Sequence, residues 1–368
     1  MAIFTDVLLD VTKNGHKLPT NEYKEFGLHP IIDQGQNDIA GYTDETSGLF
    51  SDVPAIIFGD HTRVIKYVDA PFFIGADGVK ILKAKDNKAN YKFLYYALSS
   101  AKIPNTGYNR HFKWLKEVDI PTYTEREQSQ IVSELDKVTA LIDLRKEQLE
   151  KLDMLVKSRF IELFGDPVQN PMEWKLETLK KVTTKIGSGA TPKGGKESYQ
   201  TEGITLIRSM NVHDGRFEYK DLAHITNEQA KQLDNVTVEE NDVFINITGA
   251  SVARSCIVPK HILPARVNQH VAIIRCITSM LNPVFANQMF LNTSFKGQLL
   301  DIGESGGATR QAITKQQLEA LTVILPPLEL QEQFAAFVEQ TDKSKFEVNK
   351  SLEKLEILKK ALMQKYFG

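Results

Sequence analysis

The chain has 368 residues, 42% hydrophobic and 25% charged, with a formal net charge of −2. That composition excludes a disordered or fibrous protein, and the length predicts two substantial cores. A balance this near neutrality places any nucleic-acid contact in local patches, because phosphate is met largely by Lys and Arg.

At the start, "MAIFTDVLLDVTKNG" carries an acid inside a short apolar run and no basic flank, which argues against a signal peptide. No later stretch is apolar for long enough to cross a bilayer, so no membrane contact and a cytoplasmic location are expected. "VPAIIFGDHTRVIKYV" (53–68) and "GVKILKA" (78–84) read as strands, and "YKFLYYALSSA" (91–101) as a short helix. "VDIPTYTEREQ" (118–128) then ends a strand at a proline and leads into a long helix. In that helix Ile131, Leu135, Val138, Ile142, Leu149, Leu152 and Val156 fall on an alternating four-and-three spacing, a coiled-coil seam, with Arg145 and Arg159 interrupting it.

The second half repeats the plan. "GITLIRS" (203–209), "NDVFINITGASVA" (241–253) and "HVAIIRCI" (270–277) read as strands, and "NPVFANQMFLNTSF" (282–295) as a helix capped by Asn282 with Pro283 in its first turn. "VILPPLELQEQ" (323–333) leads into a second long helix with seam positions Phe334, Val338, Val348, Leu352, Leu355 and Leu362, interrupted by Thr341, Lys345 and Lys359. The endings "LEKLDMLVKSRFIELFG" (149–165) and "LEKLEILKKALMQKYFG" (352–368) match closely, and "TGYNRH" (106–111) and "GATRQ" (307–311) share Gly-x-x-Arg at Gly107/Arg110 and Gly307/Arg310. The order is globular block, long helix, globular block, long helix, each block α+β.

Catalytic motifs fail on inspection. In "IGSGATPKGGKES" (186–198) Gly189 and Gly194 have the spacing of a phosphate-binding loop, but Gly195 stands where Lys is required; starting one residue later puts Ala190 at the glycine and Glu197 at the hydroxyl. "NPVF" departs from the Asn-Pro-Pro-aromatic motif of amino-methyltransferases at Val284. Cys256 and Cys276 lack a CxxC partner, so neither a metal site nor a disulfide is expected. What remains is a set of polar loops, "GDHTR" (59–63), "TGYNRH", "RVNQH" (266–270) and "GGATRQ" (306–311), with side chains of the kind that read base edges.

The paired lead-ins, the "LEKL…FG" helix endings, and "GSGATP" following "LETLKKVTTKI" together resemble specificity subunits of type I restriction-modification systems over nearly the full chain. The resemblance implies two target-recognition domains, 1–121 and 166–325, alternating with helical regions 122–165 and 326–368 that pair as an antiparallel coiled coil with an internal pseudo-twofold repeat. It implies a noncatalytic reader of double-stranded DNA with a two-part target. Two modification subunits carrying S-adenosylmethionine methylate adenine, and restriction subunits use ATP and Mg; the reader itself holds no cofactor or metal. "GSGATP" resembles the glycine-threonine-proline loop of a recognition domain, whereas "KNGHKLPT" keeps only Gly15 and Pro19 of it. DNA-contact candidates are His61, Arg63, Asn109 and Arg110 in the first block, and Gly189, Thr191, Lys193, Asn211, Arg266, Asn268, Gln269, Thr309 and Arg310 in the second. The seam interruptions Arg145, Arg159, Lys345 and Lys359 are expected to face modification subunits. A helix over about 126–163 spans roughly 55 Å at 1.5 Å per residue, room for half-sites one DNA turn or more apart. The rival readings are a coiled-coil scaffold with two ligand-binding domains and a stand-alone DNA-modifying enzyme.

Overall fold

A computed structural model describes residues 1–75, 77–192, 194–304 and 311–368. The chain forms two compact units, the first built from 1–147 and 349–368 and the second from 148–348. The dividing lines fall within the long helices, so each unit holds one segment of each.

In the first unit the two main sheets are built, among the described residues, from seven strands: β1 (Leu8–Asp10), β2 (His29–Ile32), β3 (Gly41–Thr43), β4 (Ala55–Gly59), β5 (Ile65–Val68), β6 (Phe73–Ile74) and β7 (Val79–Ala84). An antiparallel sheet has the order β1-β7-β4-β5, and a smaller one the order β3-β2-β6 with β2 and β6 parallel. β4 reads as an unbroken apolar run because it is buried on both faces: Ile56 and Phe58 join one core, Ala55 and Ile57 another. Helices α1 (Tyr91–Ser99), capped by the Asn90 side chain, and α2 (Phe112–Leu115) follow, and the long α3 (Glu125–Phe164) starts at a capping box made by Thr124 and Glu127.

The second unit repeats the order of these seven strands, β8 (Thr183–Ser188), β9 (Ile204–Ile207), β10 (Ala223–Ile225), β11 (Val243–Asn246), β12 (Ser255–Ile257), β13 (Ala265–Val267) and β14 (Val271–Cys276), and adds a short hairpin of Val212–His213 with Arg216–Phe217 between β9 and β10. Its two main sheets are β8-β14-β11-β12 and β10-β9-β13, again with one parallel pair, β9 with β13. Helices α4 (Pro283–Leu291), α5 (Thr293–Glu304) and α6 (Lys315–Ala320) precede α7 (Leu328–Phe367). Asn282 caps α4 with Pro283 in its first turn, as its sequence predicts. The sequence repeat is thus a fold repeat.

The long helices form an antiparallel coiled-coil pair. In the first unit Ile131 and Leu135 near the start of α3 pack with Leu362 near the end of α7, and Tyr366 Oη donates to Glu134 at 2.6 Å. In the second, Phe334 at the start of α7 meets Phe160 and Phe164 at the end of α3, with ring centroids 5.6 and 5.4 Å apart. Seam residues Val138, Ile142, Val156, Val338 and Val348 are buried, while Leu149, Leu152, Leu352 and Leu355 are half-buried. Of the interruptions, Lys345 departs from expectation by meeting the opposite helix. Lys345 pairs with Asp153 of the opposite helix at 2.7 Å, and Arg159 bonds Glu162 of its own helix at 2.8 Å. Lys359 is half-buried, which pushes its ammonium down against the pull of Asp143.

Cys256 and Cys276 are both free and buried, and burial pushes each thiol up to about 12. Because thiolate is the reactive form, the folded chain is expected to resist iodoacetamide at pH 8 and to gain two adducts once unfolded. Intact-mass analysis checks this, and rapid modification of the native chain contradicts it.

Candidate nucleic-acid interface

In the first unit the segments after β2, β4 and β6 converge with the segment before α2. Gln34, just past β2, ties three of them: its Oε1 accepts from His61 N at 3.2 Å, its Nε2 donates to Asp77 O at 3.0 Å, and its carbonyl accepts from Thr62 Oγ1 at 2.6 Å. Asp60 is buried and binds the fourth, with Oδ1 accepting from Phe112 N at 2.7 Å and its carbonyl from His111 N at 2.8 Å. A buried carboxylate spent on backbone donors fixes where a loop sits.

On that platform the His61 imidazole stacks against exposed Tyr108, centroids 4.7 Å apart and 8° from parallel. Arg63 has a left-handed backbone (φ 63°), unusual for a residue with a Cβ, and donates from Nη1 to Ile103 O at 3.3 Å. Asn109 and Arg110 are exposed on a turn that Gly107 (φ 79°) permits. Lys17, 2.7 Å from Asp77, holds that carboxyl below the usual carboxylate range, with Arg110 adding to the effect. The structure therefore gathers His61, Arg63, Asn109 and Arg110 at one edge.

The second unit builds the same edge from corresponding segments. Gly189 follows β8 and lies against β13: its N–H donates to Asn268 O at 3.1 Å, and a Cβ there would fall 1.8 Å from Val267 O. In the first unit the segment after β1 lies against β6 in the same way, with Leu18 N donating to Ile74 O at 3.0 Å. Thr191 Oγ1 donates to Gln269 Oε1, Gln269 Nε2 lies 3.1 Å from His270 Nε2, and His270 Nδ1 lies 2.5 Å from Thr248 Oγ1. With Gln269 accepting from Thr191, its amide group faces the His270 ring, whose far side faces Thr248. Gly249 N donates to Gln311 O at 2.9 Å and brings in the segment before α6. Gly189, Thr191, Asn268 and Gln269 are thereby brought together, Thr191 and Gln269 exposed and Asn268 buried. Asn268 Oδ1 caps the loop by accepting from His270 N at 3.0 Å.

Asn211 and Arg266 are turned inward, in place of the exposed position a groove contact needs. Asn211 is fully buried; it accepts from Arg208 N at 3.1 Å and donates to Glu218 O at 2.9 Å. Arg266 is buried with Nη2 on Asp234 at 2.7 Å and Nε on Ala230 O at 3.2 Å. Residue type alone does not separate an arginine that braces a strand from one that reads DNA. Lys193, Thr309 and Arg310 lie outside the described residues. Gln34, Tyr108, Thr248 and His270 join the two clusters without having been singled out; Tyr108 and His270 stand inside quoted loops, so a rule taking every polar or aromatic residue of those loops would have found them.

A fold written twice in one chain, with polar loops gathered at the matching edge of each copy and two long helices in an antiparallel pair, defines a tandem recognition protein. The model of the family described as type I restriction modification DNA specificity domain matches residues 6–154 and again 171–359. The chain belongs to that family and is a specificity subunit. It is 24% identical to the Escherichia coli type I restriction enzyme EcoR124I/EcoR124II specificity subunit, over 87% of this chain and 81% of that one. To the Escherichia coli EcoBI specificity subunit it is 24% identical, over 78% of this chain and 67% of the relative. The crystal structure of the type I S subunit from M. genitalium shares the fold with a TM-score of 0.61 at 17% identity, covering 100% of this chain and 95% of that one.

Proposed function

We propose that each unit of this chain reads one half of a two-part target on double-stranded DNA, and that the paired helices set the unread spacer between the halves. The observation that carries the reading is the duplicated loop cluster, assembled from corresponding segments of two units whose main sheets share one strand order. Side chains on such loops suit base edges in a major groove, while backbone contacts to phosphate set register. The chain works without a cofactor of its own. Two modification subunits with S-adenosylmethionine methylate adenine at the site it selects, and restriction subunits use ATP and Mg, all in the cytoplasm. No described helix is long and apolar enough to cross a membrane.

Base-resolution mapping of N6-methyladenine in the source genome, with and without the gene, tests this. Loss of methylation at one bipartite motif supports the reading. Unchanged methylation in a strain with active partner subunits refutes it. The spacer assignment has its own test: one heptad added at the same level of α3 and α7 lengthens each by about 10 Å, near three base pairs at about 3.4 Å each. The methylated motif should keep both half-sites and gain about three unread positions; an unchanged spacer removes the ruler.

A further inference from the structure

Arg208 is the first residue past β9, at the edge where the loops of the second unit gather. Ile207 faces Val267 across the parallel pair, Asn268 N donates to Ile207 O at 3.0 Å, and Gly189 N donates to Asn268 O at 3.1 Å. Arg208, Asn268 and Gly189 therefore stand side by side, on the row that also holds Thr191 and Gln269. The buried Asn211 fixes the Arg208 backbone by accepting its N–H at 3.1 Å.

The side chain is held far less completely than its backbone. The guanidinium lies over the Tyr199 ring, 5.3 Å from its centroid, and Nη2 donates to Asp221 O. Nε is buried and finds no hydrogen-bond partner among the described residues. A buried N–H without an acceptor is unfavourable, so the guanidinium stands to gain a partner where its planar fork meets a ligand.

The corresponding residue of the first unit is Asp33. Ile32 faces Ile74 across the equivalent parallel pair, and Gly75 N donates to Ile32 O at 2.8 Å. Asp33 accepts from Gly35 N at 2.8 Å and lies 3.6 Å from the Nζ of buried Lys66. One position of a duplicated interface thus carries a cation in one copy and an anion in the other. The DNA backbone is negative along both half-sites, so a reversal of charge at one position gives no advantage in meeting phosphate. Base edges differ in donors and acceptors, and there a reversal of charge has a use.

We infer that Arg208 is a specificity-determining residue of the second unit, leaving Tyr199 and Asp221 to donate to the O6 and N7 acceptors of a guanine in that unit's half-site. The inference rests on the proposed reading of one half-site per unit. Its test is the complex of this chain with its modification subunits, assembled with wild type, Arg208→Ala or Arg208→Lys and scored for methylation of duplexes carrying each base pair in turn at every half-site position. Both variants are expected to lose about tenfold or more of the discrimination at one G·C pair of one half-site, with the other half-site's preference unchanged. Arg208→Lys, which keeps the charge without the fork, should retain the salt dependence of binding. Equal weakening on all duplexes with a shallower salt slope would make Arg208 a phosphate contact and overturn the inference, as would unchanged preference at every position. A wild-type complex that methylates no two-part motif would instead bring down the reading beneath it. Equal thermal stability of variants and wild type separates lost reading from lost folding.

Discussion

Phe334→Ala is expected to destabilise the second unit by about 3–5 kcal/mol, the range for removing a buried aromatic from a packed core. Phe334 has no exposed surface and stands at the start of α7, edge-on to Phe164 with centroids 5.4 Å apart and to Phe160 at 5.6 Å. Phe164 in turn meets Phe285 of α4 at 4.7 Å. The lost ring therefore opens a cavity where both long helices meet the domain core, and rigid neighbours on several elements cannot close it together. Urea unfolding of the full chain measures the effect. Leu358→Ala, at a residue 45% exposed, is the control and should stay within about 0.5 kcal/mol of wild type. A midpoint for Phe334→Ala equal to that control's would show that this cluster does not hold the helices to the core.

Gly189→Ala should have the largest effect on function for the smallest change in mass. Its new methyl would sit 1.8 Å from Val267 O and 3.0 Å from Val236 Cγ2, and the carbonyl belongs to a paired strand that cannot yield. The loop must lift, losing the Gly189 N–H bond to Asn268 O and displacing Thr191 from Gln269. A destabilisation of about 1–3 kcal/mol is expected from the overlap, with loss of methylation at the motif because the reading edge is displaced. Gly187→Ala, where a Cβ meets nothing within 4 Å, should leave methylation in place. Methylation retained by Gly189→Ala at wild-type level would mean that the Gly189–Thr191 segment makes no part of the reading surface.

Much of the fold is legible before any coordinates. The β4 and β11 runs, the Asn282-Pro283 helix start and the lead-ins to α3 and α7 are local signals, set by side-chain periodicity and by backbone groups that need caps. The seam is legible for the same reason, although Phe160 and Phe164 pass unnoticed within it because they pack on the domain core as well as on the opposite helix. Lys345 reads as an interruption, yet its ammonium reaches Asp153 across the helix pair, a partner that spacing within one helix cannot reveal.

The functional edge is a different matter. The duplication, the α+β character of each copy and the polar loops between strands can be read from the chain, since all of this follows from local pattern and internal identity. Which loops meet depends on the folded core. Gln34 reaches Asp77, Gly189 reaches Asn268 and Arg208 stands beside both because β2 pairs with β6 and β9 with β13, strands far apart in the chain whose register depends on the whole core. Tertiary structure also separated inward from outward: Asn211 and Arg266 carry the chemistry of base readers, but the fold uses their donors to hold its own backbone, and a buried polar group so satisfied has nothing left for a ligand.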